Sequence, residues 1–161
     1  LYDDFKLWAD NVETERGLLA KQVHEYFIQN TTTSTNTKTI EYKADSAGDK
    51  WNKINETVGT VAGPPNKITI RGDCEDLAIV EASLLRKAFT ESSLSGDLGN
   101  ILLVAGTVDD PQDASKKLGH VFTVYAPNFS LNKADPDLGI GLTGSLVLDS
   151  TNSFLDISTP G

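Results

Sequence analysis

Arg71-Gly72-Asp73-Cys74-Glu75-Asp76 runs directly into Leu77-Ala78-Ile79-Val80-Glu81-Ala82-Ser83-Leu84-Leu85-Arg86-Lys87. This reads as a tight turn, a cap and a helix. Gly72 supplies backbone freedom for the turn. Asp73 is a good N-cap, because its carboxylate accepts from the free amides of the first helical turn. Leu77, Val80, Leu84 and Ala88 recur at helical spacing, with Arg86 and Lys87 near the far end. Cys74, the only cysteine in the chain, therefore falls in the first turn, where a helix dipole favours a thiolate. Two readings stay open for a cysteine so placed. It is a small buried residue filling space beside a helix start, or it is a nucleophile, which needs a histidine base and a group to orient that base.

The chain has two histidines. His120 lies in Gly119-His120-Val121-Phe122-Thr123-Val124-Tyr125-Ala126, a β-branched and aromatic run that reads as a buried strand opened by the histidine. Such a histidine is either a hydrogen-bonded core residue or a functional one. His24 falls among Gln22, Glu25 and Gln29 and reads as an exposed helix residue. Ser145-Leu146-Val147-Leu148-Asp149 is a further apolar run closed by a carboxylate, which needs a partner or water. Cys74, His120 and Asp149 thus stand at the ends of separate expected elements, in the order nucleophile, base, orienter.

Gly72-Asp73-Cys74-Glu75-Asp76, Ala78, the Leu84-Leu85-Arg86 helix, Gly119-His120 leading a strand, and Leu146-Val147-Leu148-Asp149 together carry a resemblance. The pattern resembles the transglutaminase-like cysteine peptidase superfamily, and within it the bacterial LapG-type periplasmic proteases with their Gly-Asp-Cys-Glu-Asp signature. It covers residues 40–155, and the spacings from Cys74 to His120 and on to Asp149 are longer than in that branch. The resemblance implies an α+β, papain-like core with the nucleophile at the N-terminus of a helix packed on a small antiparallel sheet. Cys74 would be nucleophile, His120 base and Asp149 orienter. The resemblance also implies calcium held by Asp73, Glu75 and Asp76. It further implies a tryptophan upstream of the cysteine that lines the cleft and helps form the oxyanion hole. Asp45 followed by Trp51 matches that upstream pattern loosely, and a core aromatic is the alternative for Trp51.

On this reading Cys74 attacks an amide carbonyl as a thiolate, held by an imidazolium at His120 whose tautomer Asp149 fixes. The Cys74 N–H is a candidate oxyanion donor. The resulting thioester meets water or an amine, and water is the default. Asp73, Glu75 and Asp76 oppose this chemistry. Two unit charges about 5 Å apart repel by roughly 3 kcal/mol at an effective dielectric near 20, which raises the thiol pKa against the dipole. Either the carboxylates turn from the sulfur and cap the helix, at about 0.3–1 kcal/mol each, or a cation sits among them. Asp73 and Asp76, three apart, share a face, and hard oxygen ligands suit Ca²⁺. One Cys and two distant His exclude a zinc pattern. Gly139-Ile140-Gly141-Leu142-Thr143-Gly144 precedes a strand instead of joining a strand to a helix, so it is no phosphate loop.

Composition bounds the rest. At 161 residues the chain can form one domain with a real core. The expected organisation is a single unit over 1–161, with an N-terminal helical segment at 1–30 and a catalytic core at 40–155. A start at Leu1 with no methionine suggests a piece of a longer protein. A net charge of −9 argues against nucleic acid and anionic membrane as partners. It suits a secreted, envelope or salt-adapted protein, and the expected location is extracellular, periplasmic or in a cell envelope. A lone cysteine excludes an internal disulfide. Asn-x-Ser/Thr sequons begin at Asn30, Asn55 and Asn128. The expected partner is a protein or peptide substrate, and the domain is expected to be monomeric. Two alternatives stay open: a non-catalytic binding or structural module of the same fold in a cell-surface protein, and an amine-accepting transglutaminase.

Along the chain, 1–29 reads as helix with a bend or break at Gly17, and with Phe5, Trp8, Val12, Leu19, Val23 and Phe27 as apolar stripes. Residues 31–39 read as loop, 39–43 as a short extended segment, 45–48 as a turn and 49–58 as a short helix. Residues 67–70 read as a short strand, 92–99 as a link, and 100–105 as the first strand of the sheet. A polar loop is expected at 109–117. A long loop holding Asp135-Pro136-Asp137 is expected at 127–144, and a polar tail after Asp149.

Overall fold

The N-terminal apolar residues divide between two helices, α1 (Tyr2–Ala9) and α2 (Arg16–Phe27). The computed structural model describes residues 1–44, 51–110, 112–129, 144–150 and 155–157. The break between the helices precedes Gly17, which lies in the first turn of α2. Asp10, at φ 63°, closes α1. With ψ at −54° this is a γ-turn conformation, and it ends the helix ahead of the break expected at Gly17.

The threonine-rich stretch is strand, not loop. β1 (Thr31–Thr32) and β2 (Asn36–Tyr42) pair antiparallel, as β-branched residues favour once neighbours accept their ladders. A short helix, α3 (Ile54–Thr57), leads into β3 (Val58–Val61) and then β4 (Asn66–Gly72). Of the helix expected at 49–58 only α3 is helical among the described residues. β4 is an inner strand, with β2, of a sheet ordered β1-β2-β4-β3, and is parallel to β2 and antiparallel to β3. Its alternation decides which face is covered: Ile68 and Ile70 are buried, Lys67 and Arg71 exposed.

α4 (Cys74–Glu91) follows at once, capped by the Asp73 carboxylate, which accepts from Asp76 N–H at 3.4 Å. More than one stripe of this helix is covered. Leu77, Val80, Leu84 and Ala88 are buried as expected, and so are Ala78, Leu85 and Phe89. A 3₁₀ turn (Ser95–Asn100) then feeds β5 (Ile101–Asp110), which pairs with β6 (Asp113–Tyr125) in a long hairpin. Where a polar loop is expected at 109–117, residues 109–110 and 113–117 are strand, at the far end of that hairpin. β7 (Ser145–Leu148) and β8 (Leu155–Ile157) complete an antiparallel sheet ordered β5-β6-β7-β8, so the tail after Asp149 includes a strand. Asp45, the 45–48 turn, Asp135-Pro136-Asp137 and most of the glycine-rich 139–144 stretch lie outside the described residues.

The architecture is therefore α+β; among the described residues it has a mixed sheet of four strands beside the four-stranded antiparallel sheet on which α4 packs. One core cluster joins Phe5, Leu19 and Phe27 of the first helices to Ile70, Leu85, Phe89 and Tyr125. The Phe89 and Tyr125 rings meet edge to face at 5.2 Å. Lys38 on β2 is buried. Its ammonium donates to the Phe27 carbonyl at 3.2 Å and to the Gln29 carbonyl, closing the end of α2, and lies 4.6 Å from the Tyr26 ring centre. Burial pushes its pKa down to about 8. No helix among the described residues is long and apolar enough to cross a membrane.

Candidate active site

Three elements meet where β4 ends. Gly72 closes β4, and a Cβ there would stand 2.5 Å from Asp76 Cβ. Its necessity is space for the incoming helix, not the left-handed backbone that a turn reading implies. Asp76 uses the room. Its carboxylate accepts from Asn52 N–H at 2.9 Å and from Asn52 Nδ2 at 2.8 Å, tying the segment that carries Trp51 to the first turn of α4. Sequence reasoning missed Asn52, since nothing in its neighbourhood distinguishes it from a loop asparagine.

α4 is held on β6 by Thr123, whose hydroxyl donates to the Ala78 carbonyl at 3.0 Å. From Ala78 back to Cys74 is one helical turn, about 6 Å, and from Thr123 back to Val121 is two strand residues, about 6.6 Å. The sulfur thereby arrives beside Val121, whose backbone N–H donates to it. His120, next in the chain, is within β6 and does not open it. The β6–β7 ladder ends at Thr123 opposite Leu148. One further step puts Phe122 opposite Asp149, and His120, on the same face as Phe122, becomes its diagonal neighbour. His120 Nε2 and Asp149 Oδ2 are 2.7 Å apart.

Cys74 and His120 line one cavity of about 470 Å³, together with Tyr42, Trp51, Gly106 and Gly119. Trp51 is 56% exposed, which makes it a wall of this cleft and not a core aromatic. The three residues read as nucleophile, base and orienter are thus brought to one place: two face the cavity and the third bonds the histidine. Asp149 occupies Nε2 and leaves Nδ1 as the ring nitrogen that can serve the sulfur.

The electrostatics differ from the dipole argument. The Cys74 thiol donates to Glu75 Oε2 at 3.2 Å, so this carboxylate does not turn away. The thiol pKa is raised, first by burial, then by the hydrogen bond to Glu75 and the charges of Glu75 and Asp73. The Val121 N–H acts the other way. This environment favours the thiol over the thiolate, against the pull of the helix start.

Asp73, Glu75 and Asp76, the residues that the resemblance implies for calcium, each have another partner in this structure. Asp73 caps the helix, Asp76 holds Asn52 and Glu75 receives the thiol. Glu75 Oε1 is buried with no hydrogen-bond partner among the described residues. No cluster of three or more His, Cys, Asp or Glu side chains that could hold a metal occurs among the described residues.

His24 is the largest departure from the sequence reading. It is fully buried, not exposed, with Nδ1 on the Glu81 carboxylate. Its signal was periodicity: it stands four residues after Ala20 and three before Phe27, on the buried stripe of α2. Comparison with protein-family models, curated proteins and solved structures found no match.

Proposed function

We propose that this chain is a cysteine hydrolase with a transglutaminase-like, papain-like core, acting on a protein or peptide amide. The observation that carries the reading is the His120–Asp149 hydrogen bond at 2.7 Å in a cavity that His120 shares with the only cysteine. A binding module needs no such pair behind a thiol.

The reaction runs as follows. Substrate enters between the Tyr42–Trp51 wall and the glycines of the β5–β6 hairpin. Because the environment favours the thiol, His120 acts as general base: as Sγ attacks the carbonyl carbon, the thiol proton passes to Nδ1. Asp149 stabilises the imidazolium so formed. The C–N bond then breaks, and the proton on Nδ1 leaves with the amine. Water, deprotonated by His120, cleaves the thioester and regenerates the thiol. The Cys74 N–H, at the first position of α4, is not used within the helix and is a donor for the oxyanion. Calcium, which the resemblance implies, would have to draw Asp73, Asp76 and Glu75 from their present partners, and no step here runs through it. A calcium-dependent rate of Cys74 alkylation would reveal such a rearrangement.

The raised thiol pKa favours a second reading, a non-catalytic module of the same fold. Incubation with a mixture of extracellular proteins, followed by labelling of new amino termini, separates the two. The hydrolase yields new termini that Cys74→Ala abolishes. No new termini would support the module, and incorporation of a labelled amine would instead identify a transglutaminase.

A further inference from the structure

Behind Asp149 lies a second set of buried polar side chains that the chemistry above does not use. Glu81 is seven residues after Cys74 on α4, within about 20° of two full turns, so the two share a face of the helix. Glu81 and His24 are fully buried, and Ser150 nearly so. The Ser150 hydroxyl donates to Glu81 Oε2 at 2.8 Å, and His24 Nδ1 meets Glu81 Oε1. Ser150 directly follows Asp149. One helix therefore carries the cysteine at its start and, two turns on, the anchor of the residue next to the orienting carboxylate.

Resting on the hydrolase reading, we propose that Glu81 is a positioning residue. Through Ser150 it fixes the turn that presents Asp149 to His120 Nε2, and His24 holds Glu81 in place. The physical grounds are three. A buried polar pair such as His24–Glu81 adds little net stability over apolar residues of similar volume, so its role is better sought in geometry than in stability. Both Glu81 oxygens are occupied, as a buried polar network must be to give a single arrangement. Glu81 also stands near enough to Asp149 for the carboxylates to repel, and His24 and Ser150 are the groups that offset this. Burial, foremost, raises the Glu81 pKa, with Asp149 adding to it and both partners opposing.

The test follows the His120 Nε2–H proton by NMR and the rate of Cys74 alkylation at neutral pH, in the whole chain. Asp149→Asn should remove the slowly exchanging Nε2–H signal. Ser150→Ala should weaken it in the same way, slow alkylation by about tenfold and leave the far-UV spectrum unchanged. That factor takes the low end of the loss seen when the partner behind a metal-binding histidine is removed, applied here to a histidine acting as base. Ser150→Thr, which keeps the hydroxyl, should restore both readouts. If Ser150→Ala retains the wild-type signal and rate while Asp149→Asn loses them, the positioning role is overturned and the triad stands. If Asp149→Asn changes neither, the triad fails and this inference with it. Should Ser150→Ala not fold, Glu81→Gln is read by the same two measurements against the same criteria.

Discussion

Cys74 Sγ lies between a donor and an acceptor, the Val121 N–H on one side and the Glu75 carboxylate on the other. Only the second could be suspected from sequence, because it is the next residue in the chain. The first comes from a strand more than forty positions away. Removing the charge at 75 tests the balance. Glu75→Gln should lower the thiol pKa and speed alkylation with iodoacetamide at pH 7 by about tenfold, one unit of pKa. An unchanged rate would mean that Glu75 does not help to set the thiol. The meeting of His120 with Asp149, and the cavity that His120 shares with Cys74, could be anticipated from the order of the elements that carry them. Their surroundings were less legible. His24 was misplaced by its polar neighbours in sequence, which are not its neighbours on the helix surface. Asn52, Glu81 and Ser150 gave no sign, since their meaning lies wholly in tertiary contacts.

Among the elements, α4 was the most legible, because cap, periodicity and length agree. The threonine-rich strands were the least legible, because their partners, not their own pattern, make them strands. The β4–α4 junction carries the sharpest prediction of this kind. Gly72→Ala places a methyl against Asp76, so it should destabilise the fold by about 1–3 kcal/mol and loosen the Asn52 anchor of Trp51. Urea unfolding gives the first effect. Trp51 quenching gives the second, with the other tryptophan, Trp8, as internal reference. A variant as stable as wild type would show that Asp76 can move aside without loss.

For the molecule as a whole, the class was readable as α+β while the division into two sheets was not, since strand pairing across long sequence separations leaves no local trace. The buried ammonium of Lys38 makes stability depend on pH in a specific direction. Its folded pKa, about 8, lies below the ordinary 10.5, so between these values the unfolded chain binds more protons. Its contribution to stability therefore rises with pH through that window, by on the order of 3 kcal/mol at most, and its full penalty is present below pH 8. The unfolding free energy of wild type relative to Lys38→Met should climb from pH 8 to pH 10. A flat difference would show that the carbonyls of Phe27 and Gln29 keep the amine charged throughout.

The central claim is that His120, braced by Asp149, acts on the Cys74 sulfur. The most direct measurement is the second-order rate of Cys74 alkylation from pH 5 to pH 10 in wild type and in His120→Ala. With His120 as base, the wild type reacts at least about tenfold faster than the variant near pH 7, and the two converge above pH 9 as the thiol ionises unaided. Superimposed profiles, each rising only with thiol ionisation at or above the ordinary cysteine range of about 8.5, would contradict the claim.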